Sequence, residues 1–172
     1  YNEYLSARGL IGAQVLLVPN DFIDRTQYLH ARQTLGRLLE LGCVPIINEN
    51  DAIASDEIRF GDNDRLAALV AELLQADILV LLSDVDALYT APPTEPGATR
   101  VVTVAANDEL ENVKIGGSSS TVGTGGAETK VSAAKLANAS GIPVLLTSTA
   151  NVSVALEGQD VGTWFEPVRA GE

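Results

Sequence analysis

The chain has 172 residues, with 23 Asp and Glu against 11 Lys and Arg, for a net charge of −12 at neutral pH. That surplus argues against nucleic acid or an anionic membrane surface as partner, since both call for clustered cations, and the scarcity of aromatics leaves no stacking platform for bases. One Cys and one His give neither a disulfide framework nor a His-based metal site, and fit a reducing, cytoplasmic setting.

In chain order, residues 1–9 read as the tail of a helix closed by Gly9. A domain rarely starts at a helix end, so a preceding segment is expected. Residues 14–18 are a short Leu- and Val-rich strand, followed by the turn signals Pro19-Asn20-Asp21. Leucines at helical spacing predict a helix over 26–41, with His30 at its surface. Residues 43–48 are a second strand, starting at Cys43, which is expected to be a small buried hydrophobe.

A second helix is predicted over 63–75. The nearly all-apolar run 77–82 predicts a strand buried on both faces of a parallel sheet. Residues 92–98 are a Pro-containing loop, 107–112 one or two helical turns, and 115–126 a mobile Gly/Ser/Thr-rich segment. A third helix runs from 126 or 127 to 140 and stops at Gly141. The strand 142–146 and an edge strand over 161–166 complete a three-layer α/β sandwich with a mainly parallel central sheet, in one domain over 1–172. No apolar run approaches a membrane span, and no secretory leader pattern opens the chain.

Three polar stretches carry chemistry. The first joins the strand at 43–48 to the helix at 63–75 and is rich in Asn, Asp and Glu, from Asn48-Glu49-Asn50-Asp51 to Phe60-Gly61-Asp62-Asn63-Asp64. Amides donate and accept whereas carboxylates only accept, a mixture that suits a zwitterion. It equally suits a solvated loop capping the next helix. The second, Gly123-Thr124-Gly125-Gly126-Ala127-Glu128-Thr129-Lys130, sets glycines before a helix start, where backbone N–H groups and the helix dipole favour an anion. It lacks the Walker A spacing, and a glycine-capped helix with an exposed lysine has the same pattern. The third, Ser83-Asp84-Val85-Asp86, follows a strand and could hold a ribose, a base or Mg²⁺, or form a simple Asx-type turn.

Together, Asn48-Glu49-Asn50-Asp51, Phe60 to Asp64, Leu82 to Asp86 and Gly123 to Lys130 resemble, in order and spacing, members of the amino acid kinase family that act on glutamate. The similarity runs over essentially the whole chain. It implies phosphorylation of the L-glutamate γ-carboxylate by ATP with Mg²⁺, the first step of proline biosynthesis, with proline as a feedback inhibitor and a dimeric or tetrameric homo-oligomer. It implies that Asp51, Asn63 and Asn48 bind glutamate. It assigns Ser83, Asp84, Thr124, Gly125, Gly126, Ala127, Glu128, Thr129 and Lys130 to ATP, with Lys130 catalytic and Asp64 organising the catalytic lysines. No residue is assigned as a protein metal ligand.

Two departures are visible: Ala87 stands where the family usually has Gly, and Ala127 where Met is common. The family's opening strand with a phosphate-binding lysine, its Gly-Ser-rich loop and the C-terminal RNA-binding-like module of some members have no match. The expectation is therefore one part of a kinase domain, inactive alone. The alternatives are a kinase of this fold acting on aspartate, acetylglutamate, carbamate or a nucleoside monophosphate, or a non-catalytic nucleotide-binding protein.

Overall fold

The computed structural model describes residues 1–52, 60, 62–110, 113 and 126–169, which form two compact units, Tyr1–Leu66 and Ala67–Glu172. The first is built from α1 (Asn2–Ser6), β1 (Ile11–Leu17), α2 (Asn20–Ile23), α3 (Arg25–Glu40) and β2 (Cys43–Glu49). β1 and β2 pair in parallel, from Ile11 opposite Cys43 to Leu17 opposite Glu49, with α3 as the crossover. Gly9, at φ +69°, ends the α1 region as expected, and the Leu10 N–H reaches back to the Leu5 carbonyl at 2.9 Å.

α3 begins one residue before the predicted start because Asp24 caps it, its carboxylate accepting from the Gln27 N–H at 2.9 Å. Of its leucines only Leu35 is buried, and Leu29 and Leu39 are about half exposed, because a two-stranded sheet covers a narrow strip of helix. Cys43 is half-buried rather than buried, since it lies at the open start of β2. β1 begins at Ile11, ahead of the predicted 14, because pairing with β2 recruits Gly12 and Ala13 despite their weak strand preference.

The helix α4 (Asn63–Leu74) opens within the first unit and runs on into the second. It stops where Gln75 turns left-handed at φ +52°, the Ala76 N–H bonding the Ala71 carbonyl at 2.9 Å and the Gln75 N–H the Glu72 carbonyl at 3.0 Å. The second unit continues with β3 (Leu79–Ser83), β4 (Thr103–Val104), α5 (Ala127–Ala139), β5 (Val144–Ser148), α6 (Val152–Leu156) and β6 (Thr163–Phe165). Strand order is β3-β5-β6-β4, with β3–β5 and β4–β6 parallel and β5–β6 antiparallel. The α/β class and mainly parallel pairing match the expectation.

Three expectations fail here. β3 lies at the sheet edge and leaves Leu82 44% exposed, whereas β5, flanked on both sides, is buried along its whole length. β6 is an inner strand, because the short β4 pairs outside it. No helix forms over the described part of 107–112: Asn107 is in a turn and Leu110 is left-handed at φ +58°, which an α-helix cannot contain.

The core of this unit packs Ala68 and Ala71 of α4, Val131, Ala134 and Ala137 of α5, and Val144, Leu146 and Phe165 of the sheet. Thr163 is fully buried within it. Its hydroxyl donates to the Val101 carbonyl at 2.6 Å and accepts from the Leu88 N–H at 2.9 Å, tying the segment after β3 to β6. Thr163→Val keeps the shape but removes both bonds, so it should cost about 1–3 kcal/mol. That is readable as a lower urea midpoint with an unchanged m value; an unmoved midpoint would show the two bonds to be dispensable.

Candidate active site

In the first unit, β2 delivers the chain to the amide-rich loop. The Asn50 N–H extends the parallel ladder to the Leu17 carbonyl at 2.8 Å. The Asn50 side-chain oxygen then accepts from the Ala52 N–H at 3.2 Å, an Asx turn that bends the chain at Asp51 and leaves that carboxylate exposed. Glu49 receives the Phe60 N–H at 3.2 Å. Phe60 is buried and meets Phe22 edge-on, with ring centroids 5.5 Å apart. Asp62 then caps α4, accepting from the Arg65 N–H at 2.8 Å.

Asp62 as the cap makes Asn63 and Asp64 the first residues of α4, where the helix presents unpaired N–H groups. Asn63 is exposed and Asp64 half-buried. Asn63 and Asn48 line one pocket of about 480 Å³, together with Asn2, Gly12, Gln14 and Ile46. Asn48 accepts the Glu49 N–H at 2.9 Å, which leaves its NH₂ and the second lone pair of its oxygen for a ligand. Two of the three residues expected to bind substrate thus share a pocket, and Asp51 follows Asn48 by three residues.

In the second unit, Ser83 ends β3 opposite Ser148 at the end of β5. The Ser83 hydroxyl donates to the Asp84 carboxylate at 3.0 Å and accepts from the Val85 N–H at 3.3 Å, so this strand end is held as a tight polar turn. Asp86 accepts the Tyr89 phenol at 3.0 and 3.2 Å. That bond, with burial and the Asp86 charge adding to it and Arg100 opposing, raises the Tyr89 pKa above the ordinary phenol range. Ala87 is buried without a positive φ, so its replacement of a family glycine brings no backbone strain.

α5 starts at Gly126, an extended N-cap with no side-chain cap bond. The Thr129 hydroxyl donates back to the Gly126 carbonyl at 2.8 Å. Ala127 is half-buried and Glu128 exposed, whereas Lys130 is 8% exposed. A lysine this buried is uncommon unless its ammonium is engaged. Four residues connect α5 to β5, and a helix that feeds a strand by so short a link runs antiparallel to it. The start of α5 therefore lies at the carboxyl edge of β3 and β5, the edge that carries Ser83 and Asp84, where α/β sheets bind ligands. Thr124 and Gly125, like most of the Gly/Ser/Thr-rich segment at 115–126, lie outside the described residues.

Gln14, Asn2 and Gly12 of the first pocket and Tyr89 beside Asp86 escaped the sequence reading. A strand's period of two would have set Gln14 on the face shared by Gly12, but nothing in one strand tells which face has a pocket.

The amino acid kinase family model matches residues 1–148. The chain is 57% identical over 167 residues to a protein named glutamate 5-kinase from Clavibacter sepedonicus, covering 97% of this chain and 64% of that one. It is 56% identical over 170 residues to one of the same name from Bifidobacterium animalis subsp. lactis, covering 98% and 45%. The chain thus spans between about half and two thirds of the curated relatives it matches. Among solved structures, carbamate kinase from Giardia lamblia bound to AMP-PNP aligns with a TM-score of 0.65 at 20% identity, over 97% of this chain and 66% of that one. UMP kinase from Bacillus anthracis aligns with a TM-score of 0.64 at 13% identity, over 98% and 63%. At such identities these two likenesses speak for the fold alone.

Proposed function

This chain belongs to the amino acid kinase family, and on that premise we propose that the protein phosphorylates the γ-carboxylate of L-glutamate with ATP, giving glutamyl 5-phosphate, the first step of proline biosynthesis. The observation that carries this reading is the 57% identity over 97% of the chain to a protein named glutamate 5-kinase. The amide-lined pocket holding Asn48 and Asn63 adds to it, since a nucleotide acceptor would call for cations there. In this reading both units are parts of one kinase domain.

The reaction needs no general base. The γ-carboxylate, with a reference pKa of about 4.3, is already ionised at neutral pH. The barrier lies in bringing one anion against another, so positioning and charge neutralisation dominate. Asp51, Asn63 and Asn48 hold the amino acid. Ser83, Asp84 and the segment from Thr124 to Lys130 hold ATP, Lys130 neutralises charge on the transferred phosphoryl group, and Asp64 orients the catalytic lysines through charge-assisted hydrogen bonds.

Among the described residues no group of three or more His, Cys, Asp or Glu gathers to hold a metal ion. Mg²⁺ binds through one or two carboxylates and the substrate's own phosphates, and Asp84 and Asp86 are the carboxylates at this strand end that would hold it. Proline inhibition, a homo-oligomer and a cytoplasmic location belong to the same reading. No described helix is long and apolar enough to cross a membrane.

Asp51→Ala in the full-length enzyme should raise the KM for glutamate about tenfold or more, by stranding the substrate ammonium, with kcat far less affected. Steady-state kinetics with glutamate varied at saturating ATP check this, and an unchanged KM would remove Asp51 from the acceptor site.

A further inference from the structure

We propose that Gln14 is a specificity-determining residue for the amino-acid acceptor, donating from its side-chain amide to the acceptor's α-carboxylate, the one that is not phosphorylated. The inference rests on the functional reading above and adds a residue to it.

Gly12, Gln14 and Leu16 share one face of β1, and the parallel register sets them against Val44, Ile46 and Asn48 of β2. The pocket of about 480 Å³ opens over this face. Its Gly12 end is closed by α1: a Cβ built on Gly12 would lie 2.9 Å from the Asn2 side-chain oxygen and 2.9 Å from Leu5 Cδ1. Gln14 is then the polar side chain that β1 contributes between that closed end and the Asn48–Asn63 end.

Charge points the same way. The described lining contains the carboxamides of Asn2, Gln14, Asn48 and Asn63 and no Asp, Glu, Lys or Arg side chain. Such a lining selects by directed hydrogen bonds, because each amide can donate to a carboxylate and accept from an ammonium. Gln14 lies level with Ile46 and so about 7 Å along the strands from Asn48. That separation suits a small dicarboxylic amino acid held at more than one point.

The test uses the full-length enzyme, with glutamate and its α-amide, which keeps the γ-carboxylate, as alternative acceptors. Gln14→Leu should raise the KM for glutamate about tenfold, leave the KM for ATP and kcat within about twofold, and erase most of the preference for glutamate over the α-amide. Gln14→Glu, nearly the same shape but an anion, should raise the glutamate KM further, which also covers the case in which the leucine variant folds poorly. Unchanged glutamate KM and unchanged discrimination in both variants would overturn the assignment while leaving the functional reading intact. A parent enzyme that does not phosphorylate glutamate would instead overturn the functional reading itself.

Discussion

Replacing Lys130 with alanine in the full-length enzyme should lower kcat by about 100-fold or more and change the KM for glutamate little. The expectation follows from where the residue lies. Lys130 is in the first turns of α5, just past the extended Gly126, and is only 8% exposed at the carboxyl edge of β3 and β5. The other buried residues on its side of the helix are Ala133, Ala134 and Ala137. A burial of this kind is costly for an ammonium unless the charge serves something. Neutralising phosphoryl oxygens as charge redistributes is a transition-state interaction, so its loss falls on kcat rather than on acceptor binding. Lys130→Arg tests the geometry separately, because a planar guanidinium replaces a compact point charge poorly. A kcat equal to that of the parent in Lys130→Ala would exclude the residue from the chemistry.

Gly162→Ala should be the most damaging single methyl group in the second unit. Gly162 precedes β6 at φ +76°. An added Cβ would collide with the Leu146 carbonyl oxygen and come within 3.0 Å of Thr147 Cβ on the fully buried β5. Neither neighbour can yield, since Leu146 is paired with Thr163 across the antiparallel ladder. Left-handed backbone strain and overpacking together should cost about 3 kcal/mol, a fall in Tm of roughly 10 °C. Thermal unfolding followed by circular dichroism reads this directly, and a Tm within about 1 °C of the parent would show that the turn can relax. Gly9→Ala and Gly97→Ala are useful controls, because both share the positive φ but have nothing within 4 Å of a built Cβ.

Much of the fold was legible because helix ends carry chemical marks. Gly42 and Gly141 stop α3 and α5 at positive φ, and Asp62 starts α4 with a side-chain bond; the predicted boundaries agree to within one or two residues. What could not be read depended on partners distant in sequence. β3 looks more apolar than its edge position requires, and only the strand order reveals that β5 is the buried one. The two-residue β4 and the short α2 and α6 have too few positions to show any period. The site divides the same way. Asn48, Asn63, Ser83 and Asp84 announce themselves as polar groups at the junctions of strands with loops and helices. Gln14 sits in an otherwise ordinary strand and gains meaning only when the β1–β2 register and the α1 contact at Gly12 build a pocket over it.

The proposed acceptor is the γ-carboxylate of glutamate. That assignment is tested most directly by measuring ADP release from ATP by the purified full-length enzyme with glutamate, aspartate, acetylglutamate, carbamate and UMP offered in turn. Release should depend on glutamate and exceed that with every other acceptor by at least about 100-fold in kcat/KM. Release that is faster with any of the others, or none with glutamate, would contradict it.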